Sequence, residues 1–265
     1  MFALLVVIGF LALLLLPDLL ISSKSDFVIE SVGTVERVVI SIVAVVVLAM
    51  LGWTADAGVR KPGSPRAWAI VLPPLVYLAV VFPYLFTHSW APNMRDPKLT
   101  ALVGADAFMS GVVEELVFRA LIFLAFVQAW GRSRDAIVKA GVASSVFFAL
   151  PHLTNMLFGQ QPLRVVAQVG WAFTLGIAIA WLYYAGASIW PAAFLHGALD
   201  AVVAMNRMGM KIAITPGKGL VMFAASLPVL VYAWLVLRRV TLAQDRAGEG
   251  AGATQRQLRR EEAGE

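Results

Sequence analysis

Six side chains in an otherwise apolar chain have the types and spacing to do chemistry: Glu114, Glu115 and Arg119 in one run, His152 in a second, and His196 with Asp200 in a third. A carboxylate can take a proton from water, an imidazole can hold or donate one, and a His–carboxylate pair one turn apart can orient the ring or share a metal ion. On a helix Glu115 and Arg119 are i, i+4 neighbours on one face, whereas about 100° per residue turns Glu114 onto the next face. The natural division pairs Glu115 with Arg119 and leaves Glu114 free. Trp190-Pro191, with proline in the first turn, starts the helix that sets His196 and Asp200 on one face. The third histidine, in Thr87-His88-Ser89-Trp90, falls at a predicted membrane boundary and reads as a loop residue.

An ionisable group at the centre of a bilayer costs about 2.5 to 17 kcal/mol by different measures, so it marks a functional site by default. Three apolar segments each present an acid or an imidazole, and the economical expectation is that they converge. With Glu114, Glu115 and Asp200 ionised and Arg119 positive, such a cluster carries two net negative charges. A protonated imidazole, a protonated carboxyl or a bound cation would offset them. A network that merely fixes helix packing is the bland alternative, but one pair would suffice for that.

The elements that must position these groups follow from composition. The 265 residues are 60% hydrophobic and 14% charged, with a mean hydropathy of +0.81, which excludes a soluble surface and predicts an all-α, polytopic membrane helix bundle. Apolar runs at 2–16, 38–53, 67–86, 100–129, 138–158, 164–185, 189–206 and 219–237 predict about eight transmembrane helices. The first is read as a retained helix, since no basic stretch precedes it and no A-x-A site follows. The chain divides into N-terminal helices 1–3 at 1–99, a catalytic core at 100–206, a last transmembrane helix within 207–240, and a disordered, charged cytoplasmic tail at 241–265.

The absence of cysteine excludes disulfides, thiolate zinc sites and a cysteine nucleophile. The net charge of +5 sits in loops and tail rather than on a surface suited to nucleic acid, so the expected surroundings are the lipid bilayer. One orientation gathers Arg60, Lys61, Arg66, Arg132, Arg134, Lys139, Arg238, Arg239 and the tail arginines on one side, and leaves Lys24, Arg37, Arg95, Lys98, Arg164, Arg207, Lys211 and Lys218 opposite. The positive-inside rule makes the first side cytoplasmic. The expected location is the plasma membrane, the inner membrane of a bacterium, with both termini cytoplasmic.

Glu-Glu-x-x-x-Arg at 114–119, Phe-x-x-x-His at 148–152 and His-x-x-x-Asp at 196–200 resemble, in order, the motifs of the CPBP intramembrane proteases, which include the type II CAAX prenyl endopeptidases. The resemblance covers roughly residues 100–205. It implies a glutamate-type intramembrane endopeptidase whose substrate is a membrane-associated or C-terminally processed protein. By position it makes Glu114 the general base, His152 its partner in holding water and His196 an oxyanion donor, with Glu115 and Arg119 as a supporting pair. Asp200 stands where eukaryotic-type members have Asn and bacterial relatives have either. An ionised Asp cannot donate to an oxyanion, but it can orient His196. The implied mechanism uses no cofactor. The alternative is zinc on Glu114, His152, His196 and Asp200, whose donor types and number suit that metal. Two other function classes remain: a non-catalytic immunity or regulatory protein of the same fold, and a proton-coupled transporter with Asp106 and Glu114 in its relay.

Overall fold

The computed structural model describes residues 1–20, 25–87, 96–157, 159–208 and 216–263, with side chains described except at 15–20, 86–87, 216 and 245–263. All regular structure among them is helical: α1 (Phe2–Leu20), α2 (Asp26–Met50), α3 (Pro65–Thr87), α4 (Pro97–Glu115), α5 (Leu124–Trp130), α6 (Arg134–Ala149), α7 (Pro162–Gly186), α8 (Ile189–Arg207) and α9 (Pro216–Ala263). A π-helical stretch, Leu116–Phe123, joins α4 to α5, and a 3-10 turn, Leu150–Met156, prolongs α6. Taking α4 to α5 as one rod gives eight rods, the number the apolar runs predict.

Among the described residues five spans are long and apolar enough to cross a membrane: Asp26–Met50, Pro65–Leu85, Arg134–Met156, Pro162–Gly186 and Gly217–Gln244. The protein is therefore an integral, polytopic helical membrane protein. The helices bearing Glu114 and His196 are not among the five, because their polar groups lower the hydropathy by which a span is recognised.

Local chemistry sets the ends of the site-bearing rod. The Asp96 carboxylate accepts from Leu99 N–H at 3.0 Å and Pro97 opens α4, an N-cap with proline in the first turn. At the other end Gly131 takes φ 91°, a conformation that costs glycine least. Ser133 then caps α6, its hydroxyl accepting from Ala136 N–H at 3.3 Å.

Among the described residues the most extensive helix contact is between α4 and α8. A Cβ on Gly111 would lie 2.5 Å from Gly197 N, and one on Gly197 would lie 2.6 Å from the Phe108 carbonyl oxygen. With no hydrophobic drive between helices in lipid, such small residues let backbones meet and pack. Between α3 and α9 the join is polar. Tyr232 donates to the Ile70 carbonyl at 3.0 Å, the acceptor that Pro74, four residues on and lacking an N–H, cannot use. Tyr77 donates in return to the Ala225 carbonyl at 3.0 Å, ahead of Pro228. The first of these bonds is a neighbouring helix satisfying a carbonyl that a proline frees within a membrane.

Two helices extend beyond their apolar runs. The second helix starts at Asp26 rather than 38, because an apolar-run criterion discards the polar turns that carry Glu30, Glu36 and Arg37, and so places Arg37 in a flank. The backbone of 241–263 is helical and continuous with α9. Its Ala, Arg, Gln and Glu are good helix formers, and extending an existing helix needs no new nucleus. His88, Lys24, Arg95 and Lys211 lie outside the described residues.

Candidate active site

Glu114 and Glu115 end α4, Arg119 lies one turn on within the π-helical stretch, and His196 faces them from α8 across the Gly111–Gly197 contact. Single-turn π segments often occur at functional sites. Glu115 is fully buried and Arg119 is 1% exposed, with Arg119 Nε 3.2 Å from Glu115 Oε2, so the sequence-derived pair is present. Arg119 also donates from Nη2 to the Gly176 carbonyl at 3.4 Å, and its guanidinium carbon lies 4.2 Å from the Phe148 ring centroid. A cation against a ring face in a dry site gains about 2 kcal/mol or more.

The second oxygen of Glu115 has a task that its spacing from Arg119 does not reveal. Glu115 Oε1 accepts from His196 Nδ1 at 2.7 Å. A carboxylate only accepts, so Nδ1 carries the proton, and Nε2 is turned toward the other two acids. Glu114 Oε2 lies 3.6 Å and Asp200 Oδ2 3.5 Å from Nε2. Arg119, Glu115 and His196 thus form a chain in which each member fixes the next, and its last atom faces Glu114 and Asp200. The buried ring is oriented by Glu115 from the other helix, with Asp200 at its reactive edge.

Ser110, one turn before Glu114, donates to Glu114 Oε1 at 3.4 Å, leaving Oε2 on the histidine side. Ligand atoms of Glu114, His196 and Asp200 all lie within 4.8 Å of one another, a set able to hold a metal ion. His152 is not in that set. Its Nδ1 donates to the Phe148 carbonyl at 3.2 Å, which leaves Nε2 as the free nitrogen. The Phe148 ring meets His152 and His196 edge-on, at 5.5 and 5.6 Å between centroids. Of the four residues of the zinc alternative, three are therefore together and the fourth is held beside Phe148.

Sequence reasoning missed three features of this site. Phe148 opens the Phe-x-x-x-His motif with no role assigned to it, yet it touches Arg119 and both histidines. Ser110 has a signal in hindsight, as the polar residue four before Glu114. Arg37, read as a flank, is inside α2 and pairs with Asp106 at 2.6 Å. Its signal is Glu30, Thr34 and Arg37 recurring on one helical face.

Residues 96–202 match the family model described as Type II CAAX prenyl endopeptidase Rce1-like, a family of intramembrane proteases, and the resemblance carried by the three motifs holds over that segment. All six site residues fall within it, and Arg37 falls outside. No curated protein and no solved structure matches the chain.

Proposed function

We propose that the protein is an intramembrane endopeptidase that hydrolyses a peptide bond of a membrane-associated or C-terminally processed protein, with Glu114 activating the water. The observation that carries this reading is the 3.6 Å approach of Glu114 Oε2 to a histidine nitrogen whose ring is already oriented by buried Glu115. Catalytic hydrogen bonds are often long without substrate and tighten when it binds. Glu114 is the one acid of the Glu-Glu pair not consumed by Arg119, and so is available to take a proton.

In this reading water is bound between Glu114 and the free Nε2 of His152, and attacks the scissile carbonyl as Glu114 removes its proton. His196, protonated at both nitrogens, donates from Nε2 to the developing oxyanion. Asp200 supports that imidazolium from the same edge and does not itself donate. Glu114 then returns the proton to the leaving amine. Ser110 holds the unused carboxylate oxygen.

The test compares membrane-protein termini, by mass spectrometry, in cells carrying the native chain or Glu114→Gln at equal abundance. Uncleaved precursors accumulating with Glu114→Gln are expected. An unchanged set of termini would overturn the reading.

A second reading is favoured by one observation, the three donors within 4.8 Å: a zinc-type ion on Glu114, His196 Nε2 and Asp200, with Glu115 as the outer carboxylate of the histidine. Under the first reading hydrolysis survives exhaustive chelation. One bound metal per chain, with activity lost on its removal and restored by its return, would establish the second.

A further inference from the structure

We infer that the site opens to water on one face of the membrane only, the face carrying the start of α4 and the end of α8, and that this face is the non-cytoplasmic one. The inference rests on packing in four helices. In α4 and its continuation, positions 105–110 are partly open, whereas 111–113 and 115–124 are buried. Helix α8, which runs antiparallel to α4, shows the mirror pattern: 191–193 and 195–197 are buried, while 198, 200 and 202–205 are partly open. In α7 the first ten residues are mostly open, and 174–183 are buried throughout. The far end of α6 with its 3-10 turn, 150–157, is open as well. Because neighbouring helices alternate in direction, these loose halves share one end of the bundle and the tight halves share the other.

The residues at the loose end are polar where they face one another. Ser110 and Asp106 continue the stripe of Glu114 at i−4 and i−8, a track of about 12 Å at the helical rise. Arg37 of α2 pairs with Asp106, and Glu30 of the same helix and Asp200 of α8 lie within electrostatic reach of that pair. These side chains keep part of their surface open. Ionisable groups in a membrane face a bundle interior or a watered cavity rather than lipid, so the open surface is a water path. In the other direction the path ends in the wholly buried stretch Leu116–Phe123, where Phe123 closes edge-on against Tyr183 at 5.8 Å.

The sealed end is the more basic. It carries Arg60, Lys61, Arg66, Arg132, Arg134, Lys139, Arg238, Arg239 and the tail arginines, against the smaller set at the open end. The positive-inside rule puts the sealed end in the cytoplasm. Together with the endopeptidase reading, on which this step alone rests, the substrate class follows: polypeptides whose scissile bond is presented at the outer surface of the membrane. These are the outer ends of membrane-embedded segments or chains anchored there after export.

The chain has no cysteine, so single-cysteine variants carry no background. Ser110→Cys reports the track, Ala204→Cys the same track from α8, one turn past Asp200, Lys98→Cys the open face and Arg134→Cys the sealed face. Each is treated with a membrane-impermeant maleimide in right-side-out and in inverted vesicles. Modification of Ser110→Cys, Ala204→Cys and Lys98→Cys at least tenfold faster from outside is expected, with Arg134→Cys reacting only in inverted vesicles. The inference is overturned if both track cysteines react only in inverted vesicles, or from neither side while Lys98→Cys and Arg134→Cys react. Labelling reads access without turnover, so it stands or falls apart from the Glu114 test.

Discussion

Two ion pairs inside this bundle join the same kinds of side chain, an arginine and an acid, and do different work. Glu115–Arg119 is 0% and 1% exposed at its side chains, whereas Arg37–Asp106 is 21% and 14% exposed. The first is surrounded by Phe148, Gly176 and the α4–α8 contact, and passes its orientation to His196. The second lies at the open end, on the polar track. Burial therefore separates the charge that holds the site together from the charge that lines its approach. A third pair, Arg132–Asp56, at 62% and 43% exposed on the far side of the buried stretch, is an ordinary surface contact.

That ordering predicts a graded series. Arg119→Met leaves Glu115 buried without its cation and should destabilise the protein by about 3–5 kcal/mol, read as a large fall in thermal unfolding temperature. Adding Glu115→Gln should recover part of it, since removing both partners strands no charge. Arg37→Met leaves Asp106 beside another acid, Glu30, but with access to water, and should cost about 1–3 kcal/mol. Arg132→Met should fall within about 0.5 kcal/mol, because exposed pairs contribute little and Gln128 still donates to Asp56 at 3.0 Å. If Arg37→Met proved as damaging as Arg119→Met, the division between scaffold and approach would fail. If Arg132→Met exceeded both, burial would not be what orders them.

Much of this was legible in the sequence, for identifiable reasons. Helical periodicity joins Glu115 to Arg119 and separates Glu114, and both hold in three dimensions. The number of rods follows from apolar runs, since a membrane demands length and apolarity of each crossing. What spacing within one helix does not carry is contact between helices. That Glu115, rather than Asp200, takes His196 Nδ1 depends on how α4 meets α8, and the Gly111–Gly197 approach that sets it is two unremarkable glycines in the sequence. Arg37 was hidden by the same logic that found the helices, because a polar turn at the start of α2 lowers the apolar score that delimits it. The helical backbone at 241–263 reflects propensity acting on an existing helix, a cooperative effect that composition alone does not carry.

The central claim is that Glu114 does the chemistry while Glu115 and Arg119 hold its partner. The direct measurement is hydrolysis by purified, vesicle-reconstituted protein of a quenched-fluorophore library of membrane-anchored peptides, with thermal unfolding recorded on the same samples. Glu114→Gln should lower the rate at least a thousandfold at unchanged unfolding temperature. Glu115→Gln, which leaves Arg119 without its carboxylate, should lower rate and unfolding temperature together. Peptide hydrolysis by Glu114→Gln at the native rate would contradict the claim.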